Sequence, residues 1–196
     1  EGPVTIELCS DSQPWRGRDS ATEPRKADAA QDLSFHKIET DADVAAAFEL
    51  ASRIWRVCYK DIISPEQMDY MLARMYSKET IRNETQAGTP FFLARRNGAD
   101  VGLLSYDMEP NAKGVLYLHK IYLDPDLWGK GLGAAMLERV IRQAEKTGAK
   151  AVELNVNKNN ERAIRAYIRA GFVKAGEFVT DIGHGYVMND FLMRKG

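Results

Sequence analysis

The sequence predicts a mixed α/β fold, and three observations carry that prediction. The aromatic-rich apolar run Val115–Leu123 reads as a strand buried on both faces. Directly after it, Gly129, Gly131 and Gly133 open a helix whose apolar stripe is Leu132, Met136, Leu137, Val140 and Ile141. Segments of period 2 and period 3.6 then interleave on both sides of this unit, which is the pattern of helices packed on a sheet. At 196 residues and 44% hydrophobic, the chain can bury the core such a domain needs. Its formal charge of -1 offers no bulk attraction for nucleic acid or a membrane surface. No apolar run approaches the roughly 18 residues of a membrane span, and no signal-peptide pattern opens the chain. Cys9 and Cys58 lie far apart in dissimilar contexts, so reduced thiols in a cytoplasmic protein are expected rather than a disulfide.

Taken in order, residues 1–31 are a polar, proline-containing extension in which Val4, Ile6 and Leu8 alternate as a short edge strand would. Residues 32–196 form the single domain. Residues 33–38 alternate as its first strand. Asp41 or Asp43 is expected to cap a helix carrying Val44, Phe48, Ala51, Ile54, Trp55 and Cys58. Ser64-Pro65-Glu66-Gln67 is a second helix start, with Ser at the cap, Pro in the first turn and Gln three positions on. A short helix around residues 77–86 follows. A hairpin turning at Asn97-Gly98 joins a strand over 91–95 to one over 101–108. Asn111–Gly114 turns into the long apolar strand, and Asp124-Pro125-Asp126 ends it, since proline has no N–H to give a ladder. After the glycine-led helix come a buried strand over 151–156, a helix over 159–170 ended by Gly171, and two strands across a turn at 181–185.

Strand, glycine loop and helix N-terminus together make a site for an anionic phosphate. First-turn N–H groups have no intrahelical partner, and the helix dipole favours negative charge there. Two familiar phosphate loops are excluded by spacing. The glycines fall at every second position rather than as Gly-x-Gly-x-x-Gly, and Lys130 is followed by Gly131 instead of Ser or Thr.

The segment Trp128-Gly-Lys-Gly131-Leu-Gly133 resembles motif A of the GCN5-related N-acetyltransferases, Arg/Gln-x-x-Gly-x-Gly/Ala, with Trp128 in the Arg/Gln position. The segment Asn160-Glu-Arg-Ala163-Ile-Arg-Ala-Tyr167-Ile-Arg-Ala-Gly171-Phe172 is similar to the family's motif B, Asn-x-x-Ala-x-x-x-Tyr-x-x-x-Gly-Phe. The resemblance implies that family's fold, a mixed central sheet of about six to seven strands flanked by about four helices. It implies acetyl-CoA as co-substrate. Ile121, Tyr122 and Leu123 would offer backbone groups to the pantetheine arm, and residues Trp128, Gly129, Lys130, Gly131, Leu132, Gly133 and Ala134 would hold the pyrophosphate. On motif B, Asn160, Ala163 and Tyr167 would border the coenzyme, Asn160 either touching it or capping the helix. Arg169 reads as a 3′-phosphate contact or a solvated helix charge.

By the same resemblance Tyr167 is the acid that protonates the departing thiolate; the bland reading is a core aromatic beside Ile164 and Ile168. His119 is the candidate base, or else a hydrogen-bonded strand histidine. Alternation places Tyr117, His119, Ile121 and Leu123 on one face, and the resemblance implies that Tyr117 and Tyr59 line the acceptor site with His119. The acceptor expected is a primary amine of a small molecule, with polyamines or arylalkylamines as the classes to test. A protein N-terminus or lysine is the alternative acceptor, and a non-catalytic coenzyme-A-binding sensor is the alternative class. Asp61, Glu66 and Asp69 either attract a polycation or simply suit an exposed helix start. No metal is expected, and a homodimer fits the family.

Overall fold

The structure, a computed structural model, describes residues 33–196. The edge strand expected at Val4, Ile6 and Leu8, and Cys9 with it, lie outside the described residues. The elements run β1 (Ser34–Lys37), α1 (Asp41–Cys58), α2 (Pro65–Tyr76), α3 (Lys78–Gln86), β2 (Phe91–Arg96), β3 (Ala99–Tyr106) and β4 (Val115–Leu123). A 3-10 turn (Pro125–Leu127), α4 (Leu132–Thr147), β5 (Ala151–Asn157), α5 (Glu161–Arg169), β6 (Val173–Gly183) and β7 (Tyr186–Lys195) complete the chain. The seven strands form one sheet in the order β1-β2-β3-β4-β5-β7-β6, with β4 and β5 parallel and every other pair antiparallel.

Each face of the sheet buries a separate core. On one, α4 and α5 contribute Leu132, Met136, Leu137, Val140, Ala163 and Tyr167 against Leu116, Leu118, Ile121 and Leu123. On the other, α1, α2 and α3 contribute Ala51, Ile54, Trp55, Met71, Leu72 and Ile81 against Leu93, Leu103, Tyr122 and Met188. Gly102 sets the approach of α4: a Cβ there would stand 2.6 Å from the Tyr122 carbonyl oxygen and 3.0 Å from Met136 Cε. Among the described residues no helix is long and apolar enough to cross a membrane.

Three local expectations are corrected. Thr40, rather than Asp41 or Asp43, is the N-cap of α1. Its hydroxyl accepts from the Asp43 N–H at 3.1 Å while Asp43 accepts from the Thr40 N–H at 2.9 Å, a reciprocal capping box. The β6–β7 hairpin turns on two residues, not five. His184 and Gly185 both have positive φ (54° and 76°), so the ladder continues to Gly183. The third correction bears on function. β3 pairs Ser105 with Lys120 but Tyr106 with Leu118, so His119 is an extra residue, a β-bulge. Strict alternation fails there: Tyr117 and His119 share the α1–α3 face, whereas Ile121 and Leu123 turn to the α4–α5 face.

Candidate active site

β4 and β5 pair only through Val115–Tyr117 with Ala151–Glu153. Beyond that point no ladder joins them, and the β4 edge over Leu118–Leu123 faces a widening gap. An extended ligand entering the gap would lie along this strand edge, much as an added strand would. Ile121, Tyr122 and Leu123 all lie on this edge.

At the end of the gap, Gly131 (φ 79°) is the N-cap of α4, and no side chain caps this helix. The contrast is informative: Thr40, Ser64, Ser77 and Asn160 cap α1, α2, α3 and α5, so α4 alone among the described helices leaves its first N–H groups without a side-chain acceptor. Gly129 (φ 75°) has no heavy atom within 4 Å of where a Cβ would sit, so the loop is open at that point. Leu132, Gly133 and Ala134 form the first turn. An uncapped, side-chain-free helix start is suited to a diphosphate. Lys130 turns back, its ammonium donating to the Asp126 carbonyl at 3.1 Å.

Trp128, the residue that departs from motif A, supports this loop. Its indole N–H donates to the Leu123 carbonyl at 3.1 Å, tying the loop to the end of β4. On the ring lies the Arg162 guanidinium of α5, 4.1 Å from the centroid. The indole thus links both motifs at the mouth of the gap. Asn160 is fully buried and its side chain accepts from the Ala163 N–H at 3.2 Å, so it caps α5. Tyr167 is 0% exposed in the α4–α5 core with its ring 5.8 Å from Phe172.

On the opposite face, His119 Nε2 stands 2.6 Å from Asp107 Oδ1, and Asp107 Oδ2 accepts from the Tyr117 N–H at 3.2 Å. One carboxylate therefore fixes both the imidazole and the strand beside it. The His119 side chain is 14% exposed, and its ring lies 5.2 Å from that of Tyr117. Sequence reasoning missed Asp107; its signal is an acid at the end of β3, across the hairpin from His119. Tyr59 is buried at the end of α1 with its ring centroid 4.4 Å from that of Trp55. Asp69 pairs with Arg56 at 2.9 Å. α2 is joined to the β6–β7 hairpin: the Tyr70 hydroxyl donates to the Ile182 carbonyl at 2.5 Å and its ring sits 4.7 Å from His184 and 5.5 Å from Tyr186. Among the described residues no group of His, Cys, Asp or Glu side chains is placed to hold a metal ion.

Known proteins share this chain's sequence pattern and fold. Residues 44–172 match the model of the acetyltransferase (GNAT) family. An uncharacterised N-acetyltransferase of Mycobacterium tuberculosis is 30% identical over 155 residues, covering 79% of this chain and 96% of that one. An uncharacterised N-acetyltransferase of Methanocaldococcus jannaschii is 35% identical over 104 residues; the match spans 51% of this chain and 45% of the archaeal protein. A spermine/spermidine N(1)-acetyltransferase of Bacillus subtilis is 41% identical over 73 residues, 37% of this chain and 47% of that one. Among solved structures, the PaiA N-acetyltransferase of Thermoplasma acidophilum in complex with coenzyme A superposes with a TM-score of 0.66 at 23% identity, covering 83% of this chain and 98% of that one. With the family model covering residues 44–172 and a mycobacterial N-acetyltransferase aligned over nearly its whole length, the chain belongs to the acetyltransferase (GNAT) family and is an N-acetyltransferase whose donor is acetyl-CoA.

Proposed function

We propose that the chain acetylates a primary amine of a small molecule by direct transfer, with His119 as base and Tyr167 as acid. The observation that carries the assignment is the Asp107–His119 pair on the bulge of β4, where the strand edge opens. The residues present fit the donor. The open β4 edge suits an extended arm and the uncapped start of α4 suits its diphosphate. When bound, acetyl-CoA supplies an acyl group activated as a thioester, so that a C–N bond forms as the C–S bond breaks. An amine attacks only when neutral, and an imidazole, ordinarily titrating near pH 6.5, is matched to take the ammonium proton. Asp107 holds the ring in orientation and stabilises the imidazolium that results. Tyr167 approaches from the other face of the sheet, and a phenol, ordinarily titrating near pH 10, retains its proton at neutral pH to give to the leaving sulfur.

A small-molecule acceptor is favoured by the stretch shared with the Bacillus spermine/spermidine enzyme, although that match covers 37% of the chain. The test is thiol release from acetyl-CoA with a panel of spermidine, short diamines, arylalkylamines and peptides. Turnover of free amines supports the proposal. Turnover of peptides alone would replace it with a protein acetyltransferase, and coenzyme A binding without turnover of anything would leave a sensor.

A further inference from the structure

β7 alternates Tyr186, Met188, Asp190 and Leu192 on the α1–α3 face, because Met188 belongs to that core while Phe191 and Met193 pack on the opposite side. One of these positions carries an acid where its neighbours are apolar. Asp190 is 1% exposed, and its Oδ1 has no hydrogen-bond partner among the described residues. Its ladder neighbours, Asn157 on β5 and Phe178 on β6, carry no charge. The charged group that acts on it is Lys158, whose ammonium is held 3.0 Å from Glu177 and lies 5.3 Å from the centre of the Phe191 ring. Burial without a matching cation pushes the Asp190 carboxyl up to about 7. A carboxyl so placed lacks a cation, and folding alone gives no reason to keep it.

Its position says which cation. Asp190 shares a face of the sheet with Tyr117 and His119 and lies beyond the open gap, opposite the C-terminal end of β5 where β4 and β5 have separated. From β4 to β7 is two strand spacings, about 10 Å before the separation is added. The nitrogen being acetylated must be neutral beside His119, so it cannot remain the ion-pair partner of a carboxylate that far away. We propose that Asp190 anchors a second ammonium of the acceptor, which makes the preferred substrate a diamine or polyamine bound with its far nitrogen at β7. This rests on the amine acetyltransferase reading above and adds to it a residue and a substrate charge pattern.

The test compares wild type with Asp190→Asn, which preserves shape, at saturating acetyl-CoA. The acceptors are 1,4-diaminobutane and spermidine set against butylamine and phenethylamine. The expected result is a KM for both polycations raised about ten-fold or more, kcat within about two-fold, and monoamine kinetics unchanged. Coenzyme A affinity, read by calorimetry, stays at the wild-type value and shows that the variant is folded. Unaltered KM values overturn the anchor alone, leaving a buried protonated carboxyl only. A loss confined to kcat for every amine also overturns it, assigning Asp190 to proton handling. If wild type turns over none of the amines, the amine reading itself fails and the anchor falls with it.

Discussion

His119 takes its role from two neighbours in different elements. Alternation with Leu116 and Leu118 sets its ring on the α1–α3 face just ahead of the bulge, and in the proposed mechanism Asp107, 2.6 Å from Nε2, decides which ring nitrogen is left for the acceptor. These contributions separate experimentally. Replacing His119 with Ala removes the proton acceptor and should lower kcat by about 10²–10⁴-fold, the usual span for a general base. Asp107→Asn leaves the imidazole in place but free to take the wrong tautomer. It should lower kcat less, with KM for acetyl-CoA unchanged and the acid limb of the pH–rate profile displaced. A merely structural aspartate would move stability and leave that limb alone. Tyr167→Phe keeps the packing against Phe172 and removes one proton, so a fall in kcat without a fall in thermal stability is the expected signature. An undiminished rate would take Tyr167 out of the mechanism.

The N-terminal half of the helix that follows β4 depends on a close approach at Met136 and on an empty cap at Gly131. Gly102→Ala drives a methyl to 2.6 Å from the Tyr122 carbonyl and against Met136. Overpacking of this kind costs about 1–3 kcal/mol, measurable as a lower urea midpoint with an unchanged slope. At the N-cap, Gly131 sits at φ 79°; alanine there costs about 1 kcal/mol of backbone strain and tilts the first-turn donors. Coenzyme A affinity should fall several-fold while the pantetheine fragment, which lacks the diphosphate, binds unchanged. This strand–loop–helix unit was the most legible part of the sequence, because glycines, a proline stop and an apolar stripe each have one local cause. The Asn97-Gly98 turn was legible for the same reason, with both residues at positive φ as such a hairpin needs. What stayed hidden was non-local. The bulge at His119 exists only in the pairing of β4 with β3, so alternation misassigned Ile121 and Leu123. Asp107 becomes a partner of His119 only once that pairing forms. Trp128 looked like a lost motif residue until the Leu123 carbonyl and Arg162 gave it work to do.

Across the whole molecule the sheet separates Tyr167 on one face from the Asp107–His119 pair on the other, and the proposed mechanism has them meet at the gap between β4 and β5. Two carboxyls on the α1–α3 side give the fold opposing responses to pH. Hydrogen bonds from the Thr40 hydroxyl and from the Thr40 and Glu39 N–H groups hold the Asp43 carboxyl well below the usual carboxylate range. Its contribution is present above the unfolded value near 4 and is lost only as strong acid protonates the folded state. Asp190 has the reverse sign. Its folded value of about 7 exceeds the unfolded value, so between about pH 4 and 7 the native state binds more protons than the unfolded chain. Stability from this group is therefore full in acid and lost as pH rises to 7 and beyond, by on the order of 2–4 kcal/mol. Asp190→Asn, neutral at every pH, should match wild type below about pH 4 and exceed it by a few kcal/mol at pH 8 in urea unfolding. A saturating diamine should close that gap by pairing with the carboxylate in wild type and finding nothing to pair with in the variant. Equal stabilities at pH 8 without ligand would mean that the carboxylate already has a cation.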